Sequence, residues 1–105
     1  MTYAVYALNV FDKEMNKLPE FERSIIQKIF LQLKENPYVG QQMRYRFFRE
    51  KRIREKRIYY LVYDNLKIVL IVAIGGKKFQ EETIDKIVIY FEEYRRYAER
   101  LSNSS

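Results

Sequence analysis

Leu66-Lys67-Ile68-Val69-Leu70-Ile71-Val72-Ala73-Ile74 is the stretch on which the fold turns. From Ile68 to Ile74 every residue is apolar and most are β-branched. The run is strand-sized, too short to cross a bilayer and too uniform to leave one face in water. A strand of this kind is buried on both faces, so it is expected at the centre of a sheet, with helices covering one side.

Working outward, Asp64-Asn65 supplies turn chemistry and joins this strand to another, Lys56 to Tyr63. A polar turn at Arg54-Glu55 leads back to a strand over Tyr45 to Ile53, and Tyr38 to Met43 reads as a loop around Gly40. Further upstream the period becomes helical. Phe21, Ile25, Ile29 and Leu33 form one stripe, widened by Ile26 and Phe30, and Asn36-Pro37 ends that helix. Phe11, Met15 and Leu18 mark an earlier helix, separated from it by Leu18-Pro19-Glu20. Thr2 to Leu8 reads as an opening strand. Downstream, Gly75-Gly76 breaks the apolar strand. Ile84, Ile87, Val88, Phe91, Tyr94, Ala98 and Leu101 then recur at the spacing of one final amphipathic helix. The order is β-α-α-β-β-β-α, an α+β domain with a helical hairpin packed on an antiparallel sheet. It occupies residues 1–105 as one unit, with 102–105 expected to fray.

Composition narrows the chemistry. Of 105 residues, 48% are hydrophobic and 16% aromatic, enough for an ordinary core. With no cysteine there is no disulfide and no thiolate chemistry, and no secretory signal opens the chain, so a cytoplasmic protein is expected. With no histidine, a Ser-His-Asp hydrolase and the usual zinc sites are excluded. The carboxylates occur singly or as helix pairs such as Glu81-Glu82 and Glu92-Glu93, a poor metal set. Gly75-Gly76-Lys77-Lys78 lacks the spacing of a phosphate-binding loop.

The net charge of +6 is concentrated in one place. Arg44, Arg46, Arg49, Lys51, Arg52, Arg54, Lys56 and Arg57 are opposed in their window only by Glu50 and Glu55, and the rest of the chain carries 12 charges of each sign. Such focusing points to a polyanionic partner. The alternative is a solvated sheet edge whose cations discourage aggregation. Strand alternation puts Arg49 and Lys51 on one face. Arg57 is expected across from them after the turn, with Lys77 or Lys78 reaching back over the sheet to complete a ring. Tyr45, Phe47, Phe48, Tyr59 and Tyr60 interleave with these cations as possible base platforms, although aromatics of this kind more often belong to a core.

Several of these segments together resemble the RelE/ParE superfamily of toxins from type II toxin–antitoxin systems. They are Phe11-Asp12-Lys13-Glu14 through Leu18-Pro19, Ile25 to Leu33, Asn36-Pro37 with Gly40, Arg57-Ile58-Tyr59-Tyr60, and Tyr60 to Asn65. Lys77-Lys78-Phe79-Gln80 is similar to the corresponding segment of HigB-like and archaeal RelE-like members. The likeness spans residues 3 to 90. It implies a RelE-like fold and a metal- and cofactor-independent endoribonuclease that cleaves messenger RNA in the ribosomal A site by attack of a 2′-hydroxyl. It further implies a RelB-like antitoxin as partner, beside ribosome and message, and no membrane. Carried over by position, Arg57 and Lys77 are expected to stabilise the phosphate, Lys51 to act as base and Arg49 to position the RNA. Arg52, Arg54, Lys56, Lys78 and Tyr59 are expected as further RNA contacts. Some members place a tyrosine shortly after the last basic residue. Gln80 to Ile84 contains none, which leaves Tyr59 or Phe79 to take its place. Two rival readings are a ParE-like inhibitor of DNA gyrase and a nucleic-acid-binding domain without catalysis. The ribonuclease reading requires that the cations share a surface and are not each locked to a carboxylate.

Overall fold

The computed structural model describes residues 2–104. Its elements in chain order are β1 (Ala4–Ala7), α1 (Asn9–Asn16), α2 (Glu20–Glu35), β2 (Gln41–Gln42), β3 (Phe48–Ile53), β4 (Lys56–Tyr63), β5 (Ile68–Gly76), α3 (Gln80–Ile89) and α4 (Phe91–Asn103). The strands form a sheet in the order β1-β5-β4-β3-β2. β5 is an inner strand, and Ile68 to Val72 are all buried. β4, its neighbour, is buried from Arg57 to Val62.

The expected antiparallel sheet is mixed, because β1 runs parallel to β5 while the other pairs are antiparallel. β1 reaches the free edge of β5 and is followed at once by the helical hairpin, which crosses one face. Short β2 pairs Gln41 and Gln42 with Glu50 and Arg49, inside a segment expected to be loop. β5 continues through Gly75 and Gly76 rather than ending before them. Tyr59 pairs with Ala73 but Tyr60 with Ile71, so Val72 is an extra residue on β5. This bulge sets Gly75 opposite Arg57 and Gly76 opposite Lys56.

Both faces of the sheet are covered, where cover on one side was expected. α1 and α2 pack Phe11, Ile26, Ile29 and Leu33 against Ile58, Tyr60, Val62, Val69 and Ile71. On the other face, Ile84 and Ile87 pack on Phe48, Tyr59, Leu61, Leu70 and Val72, with Phe91 and Tyr94 beside them. The single C-terminal helix expected from the periodicity is two helices, divided at Tyr90 (φ −99°, ψ 14°). The division lets the Phe91 ring sit 5.1 Å from Phe47 and 5.6 Å from both Phe48 and Tyr45. On α2 the buried stripe is Ile26, Ile29 and Leu33, and Phe21 is left 61% exposed beneath the guanidinium of Arg54.

At the β4–β5 turn, Asp64 acts as a latch. Tyr3 donates to its Oδ1 at 2.7 Å, Tyr38 donates to its Oδ2 at 2.6 Å, and Arg46 pairs with it at 3.3 Å. The hydrogen bonds from Tyr38 and Tyr3 hold its carboxyl below the usual carboxylate range. Burial and the Asp64 hydrogen bond push Tyr38 up to about 12. One half-exposed side chain thus ties together the chain start, the α2–β2 loop and the sheet. Because the folded value is depressed, the contribution is fully present at neutral pH and is lost as pH falls through that lowered value. Asp64→Ala is expected to cost roughly 1–2 kcal/mol in urea unfolding at pH 7. The difference from the wild type should shrink in acid, and a pH-independent difference would contradict the latch.

Candidate functional site

The β3–β4 turn decides which cations meet. It is a two-residue turn, so Ile53 pairs with Lys56 and Arg52 with Arg57. Alternation then divides the basic residues between the two faces. Arg49 and Lys51 do share a face, as expected, but they pair with Tyr60 and Ile58 on the side covered by α1 and α2. Arg57 projects to the opposite side, with Arg52, Glu50 and Tyr59. Arg49 is therefore apart from the expected ring, while Lys51 shares one cavity with Arg57 and Lys77 shares another with it.

The arrangement that does form is an open cleft at the end of the sheet, about 740 Å³ in volume. Arg52, Arg54, Lys56 and Arg57 line it from the hairpin, and Lys77 and Lys78 from the end of β5. Glu55 is the one acidic residue in this wall. Opposite the hairpin, Gly75 and Gly76 keep the β5 side low. A Cβ at Gly76 would meet nothing within 4 Å, and one at Gly75 only the Thr83 hydroxyl at 3.8 Å. Arg54, at the tip, has φ 55°, a left-handed conformation that an arginine adopts at some cost.

The basic residues differ in what already holds them. Arg44 pairs with Asp85, Arg46 with Asp64, and Lys56 with both oxygens of Glu22 at 3.2 Å. Arg49 donates to the carbonyls of Arg46 and Gly40 and lies over the Tyr38 ring, so it secures the α2–β2 loop. Arg57 is ion-paired with Glu50. Of the other cations in the basic window and the Lys77–Lys78 pair, Lys51, Arg52, Arg54, Lys77 and Lys78 have no carboxylate partner. Four of these five line the cleft.

A second cavity, about 400 Å³, adjoins the cleft and shares Arg52 and Arg57 with it. Val39, Gly40 and Met43 from the loop, Glu50 and Lys51 from β3, and Gln80 from α3 complete its lining. The loop is pressed against the sheet by Tyr60, which accepts from the Gly40 N–H at 3.0 Å and donates to the Pro37 carbonyl at 2.7 Å. A Cβ at Gly40 would lie 2.6 Å from both the Tyr60 hydroxyl and the Glu50 carbonyl oxygen, so only glycine permits this approach.

At the seam of the two cavities lies the Arg57–Glu50 pair. The side chains are 6% and 8% exposed, with Nε to Oε1 at 3.6 Å. Gln80 donates to the other oxygen, Oε2, at 2.9 Å. Arg57 Nη1 and the Tyr59 hydroxyl are buried without hydrogen-bond partners. Burial, reinforced by the Glu50 charge, pushes Tyr59 up to about 12. Tyr59 is fully buried and offers no face to a base. Phe79 is 57% exposed beside Lys78, whose ammonium lies 5.4 Å from its ring centre, and is the aromatic available there. In the sequence Glu50 figures only as a countercharge and Gln80 only within the family resemblance, neither as part of a site. The signal for Glu50 was its even spacing from Arg52 on the strand.

No family model and no curated protein sequence matches the chain. Its structure is similar to solved RelE toxins. A double arginine-to-alanine mutant of E. coli toxin RelE in the free state superposes with a TM-score of 0.68 at 21% identity, over 77% of this chain and 90% of that one. A toxin–antitoxin complex from Mycobacterium tuberculosis gives 0.64 at 20% identity, over 73% and 100%. The archaeal RelE–RelB complex from Pyrococcus horikoshii gives 0.64 at 19%, over 74% and 98%. The fold and the cleft together define a small α+β protein with a cationic end groove. That fold is the RelE toxin fold.

Removing the Arg57 side chain leaves the Glu50 carboxylate buried with Gln80 as its one hydrogen-bond donor. Arg57→Ala is expected to cost on the order of 3 kcal/mol in chemical denaturation. A loss below about 1 kcal/mol would mean that the pair is solvated rather than buried.

Proposed function

We propose that the protein is the toxin of a toxin–antitoxin pair and that it cuts messenger RNA on the ribosome, with the sheet-end cleft as its RNA site. The observation that carries this reading is Arg57. It is a buried guanidinium with one unpartnered nitrogen, placed where a cleft of unneutralised cations meets a second cavity. A folded phosphodiester chain offers what this arrangement lacks, anionic oxygens for Arg52, Arg57, Lys77 and Lys78. Charge development on a phosphorane-like transition state is then stabilised by groups already in place. Phe79 at the rim supplies a face for an unstacked base. Arg49, tied to the Arg46 and Gly40 carbonyls, stands outside this set, so the working cations are Arg52, Arg57, Lys77 and Lys78, with Lys51 in the adjoining cavity.

Solved relatives in fold include RelE bound by RelB antitoxin or by a peptide of it. By that analogy a RelB-like antitoxin neutralises this protein, and an acidic segment laid over the cleft is the simplest way to do so. Pairing of Arg57 with Glu50 favours a second reading, a domain that docks on RNA phosphates without cutting. The two part on one experiment. Purified protein added to translating ribosomes is expected to yield cleaved message, whereas intact message with RNA bound would select the second reading. In either case binding of short single-stranded RNA should weaken with salt. Four phosphate-contacting cations give a log–log slope of about −3. Replacing Lys77 and Lys78 together by alanine should reduce its magnitude by about 1.4, and an unchanged slope would remove the cleft from the RNA site.

A further inference from the structure

Phe21 opens the apolar stripe of α2, yet its ring is 61% exposed. Of the seven phenylalanines in the chain, only Phe21 and Phe79 are exposed. Each lies beneath a cation that lines the sheet-end cleft. The Arg54 guanidinium stands 5.3 Å from the centre of the Phe21 ring, and the Lys78 ammonium 5.4 Å from that of Phe79. The two rings thus flank the cleft, Phe79 beyond the end of β5 and Phe21 beside the tip of the β3–β4 hairpin. Arg54 holds its place at φ 55°, where glycine or asparagine sits more easily. Of the carboxylates flanking Phe21 in sequence, Glu22 is held by Lys56 through both oxygens at 3.2 Å, and Glu20 is exposed. We propose that Phe21 is a second base platform of the cleft, on which a nucleobase of single-stranded RNA stacks. This rests on the reading of the cleft as an RNA site given above.

A phenylalanine offers a base its π-face and no hydrogen bond, so recognition at Phe21 is by stacking and tolerates any base. The contact it replaces is a solvent-exposed cation–π pair, which is weak, whereas stacking of a base on an aromatic ring is stronger. Arg54 is exposed and has no carboxylate to release. Its planar guanidinium lifts from the ring and covers the outer face of the base, as it covers the ring in the free protein. Phosphates of the same strand run along Arg52, Arg57, Lys77 and Lys78, and the charge of Glu55 repels them from the hairpin tip. Cations alone let a strand slide, because every phosphate is alike. One base on Phe79 and another on Phe21 fix its register across the cleft.

The test uses a short single-stranded RNA methylated at every 2′-hydroxyl, so that it binds without being cut, with 2-aminopurine placed at one position after another. It is titrated into the wild type, Phe21→Ala, Phe21→Tyr, Phe79→Ala and the Lys77→Ala/Lys78→Ala double variant, each with its melting temperature. Phe21→Ala is expected to bind about tenfold more weakly. Its salt slope should stay that of the wild type, since no charge is lost. Phe21→Tyr keeps a ring and should bind within about twofold of the wild type. One probe position should lose its emission change in Phe21→Ala and a different one in Phe79→Ala, which marks two platforms. A Phe21→Ala that binds within about twofold of the wild type overturns the second platform. The cleft reading survives that result as long as the lysine variant lowers the slope. A weakened Phe21→Ala that Phe21→Tyr does not restore, or one probe position answering to both rings, also overturns it. A wild type that does not bind, or a lysine variant with an unchanged slope, removes the cleft reading and the platform together.

Discussion

Burial of β5 on both faces is the constraint from which the rest follows. A strand of Ile, Val and Leu without alternation has to be covered twice, once by α1 and α2 and once by α3 and α4. Cover on both faces encloses β5 and most of β4 and leaves the β3 side and the sheet's ends open. At one end the β3–β4 hairpin, the two glycines of β5 and the lysines after them converge. The bulge at Val72 sets the pairing there, bringing Gly75 beside Arg57. The cationic cleft thus sits at the rim of the sheet, beside the apolar run that organises the core.

Charge is sorted by the fold as well as concentrated by the sequence. The basic window looks unopposed because its counterions are distant in the chain. Glu22 on α2, Asp64 at the β4–β5 turn and Asp85 on α3 each hold one of its members. These three pairs are at least partly exposed and contribute little stability individually, but they fix side chains and leave the remaining cations as the unneutralised set. Glu50 is different in kind. It is buried beside Arg57, and the ion pair on one oxygen and the Gln80 hydrogen bond on the other offset the cost of desolvating its carboxylate.

Much of this was legible in the sequence. The central strand, the helical hairpin, both tight turns and the pairing of Arg49 with Lys51 on one face all follow from period and turn chemistry. The face of Arg57 was not read correctly: it was expected with Arg49 and Lys51 and lies on the other side. With Arg54 and Glu55 as the two turn residues, Arg57 must oppose Arg52 and share the side of Glu50. The break at Tyr90 was not legible, because Ile84 to Leu101 keeps helical spacing across it and the bend answers to the aromatic cluster around Phe91. Nor was the role of Gln80, which depends on where α3 lands against β3. Tyr59 shows the limit of composition most plainly: an aromatic among cations reads as a base platform, yet it is wholly interior.

Whether the cleft at the sheet end is the proposed RNA site can be read from side-chain and backbone NMR shifts during titration with a short single-stranded RNA. Changes are expected at Arg52, Arg57, Lys77, Lys78 and Phe79, with Arg44, Arg46 and Arg49 left undisturbed. Shifts centred on Arg44, Arg46 and Arg49 instead would place RNA elsewhere and rule the cleft out.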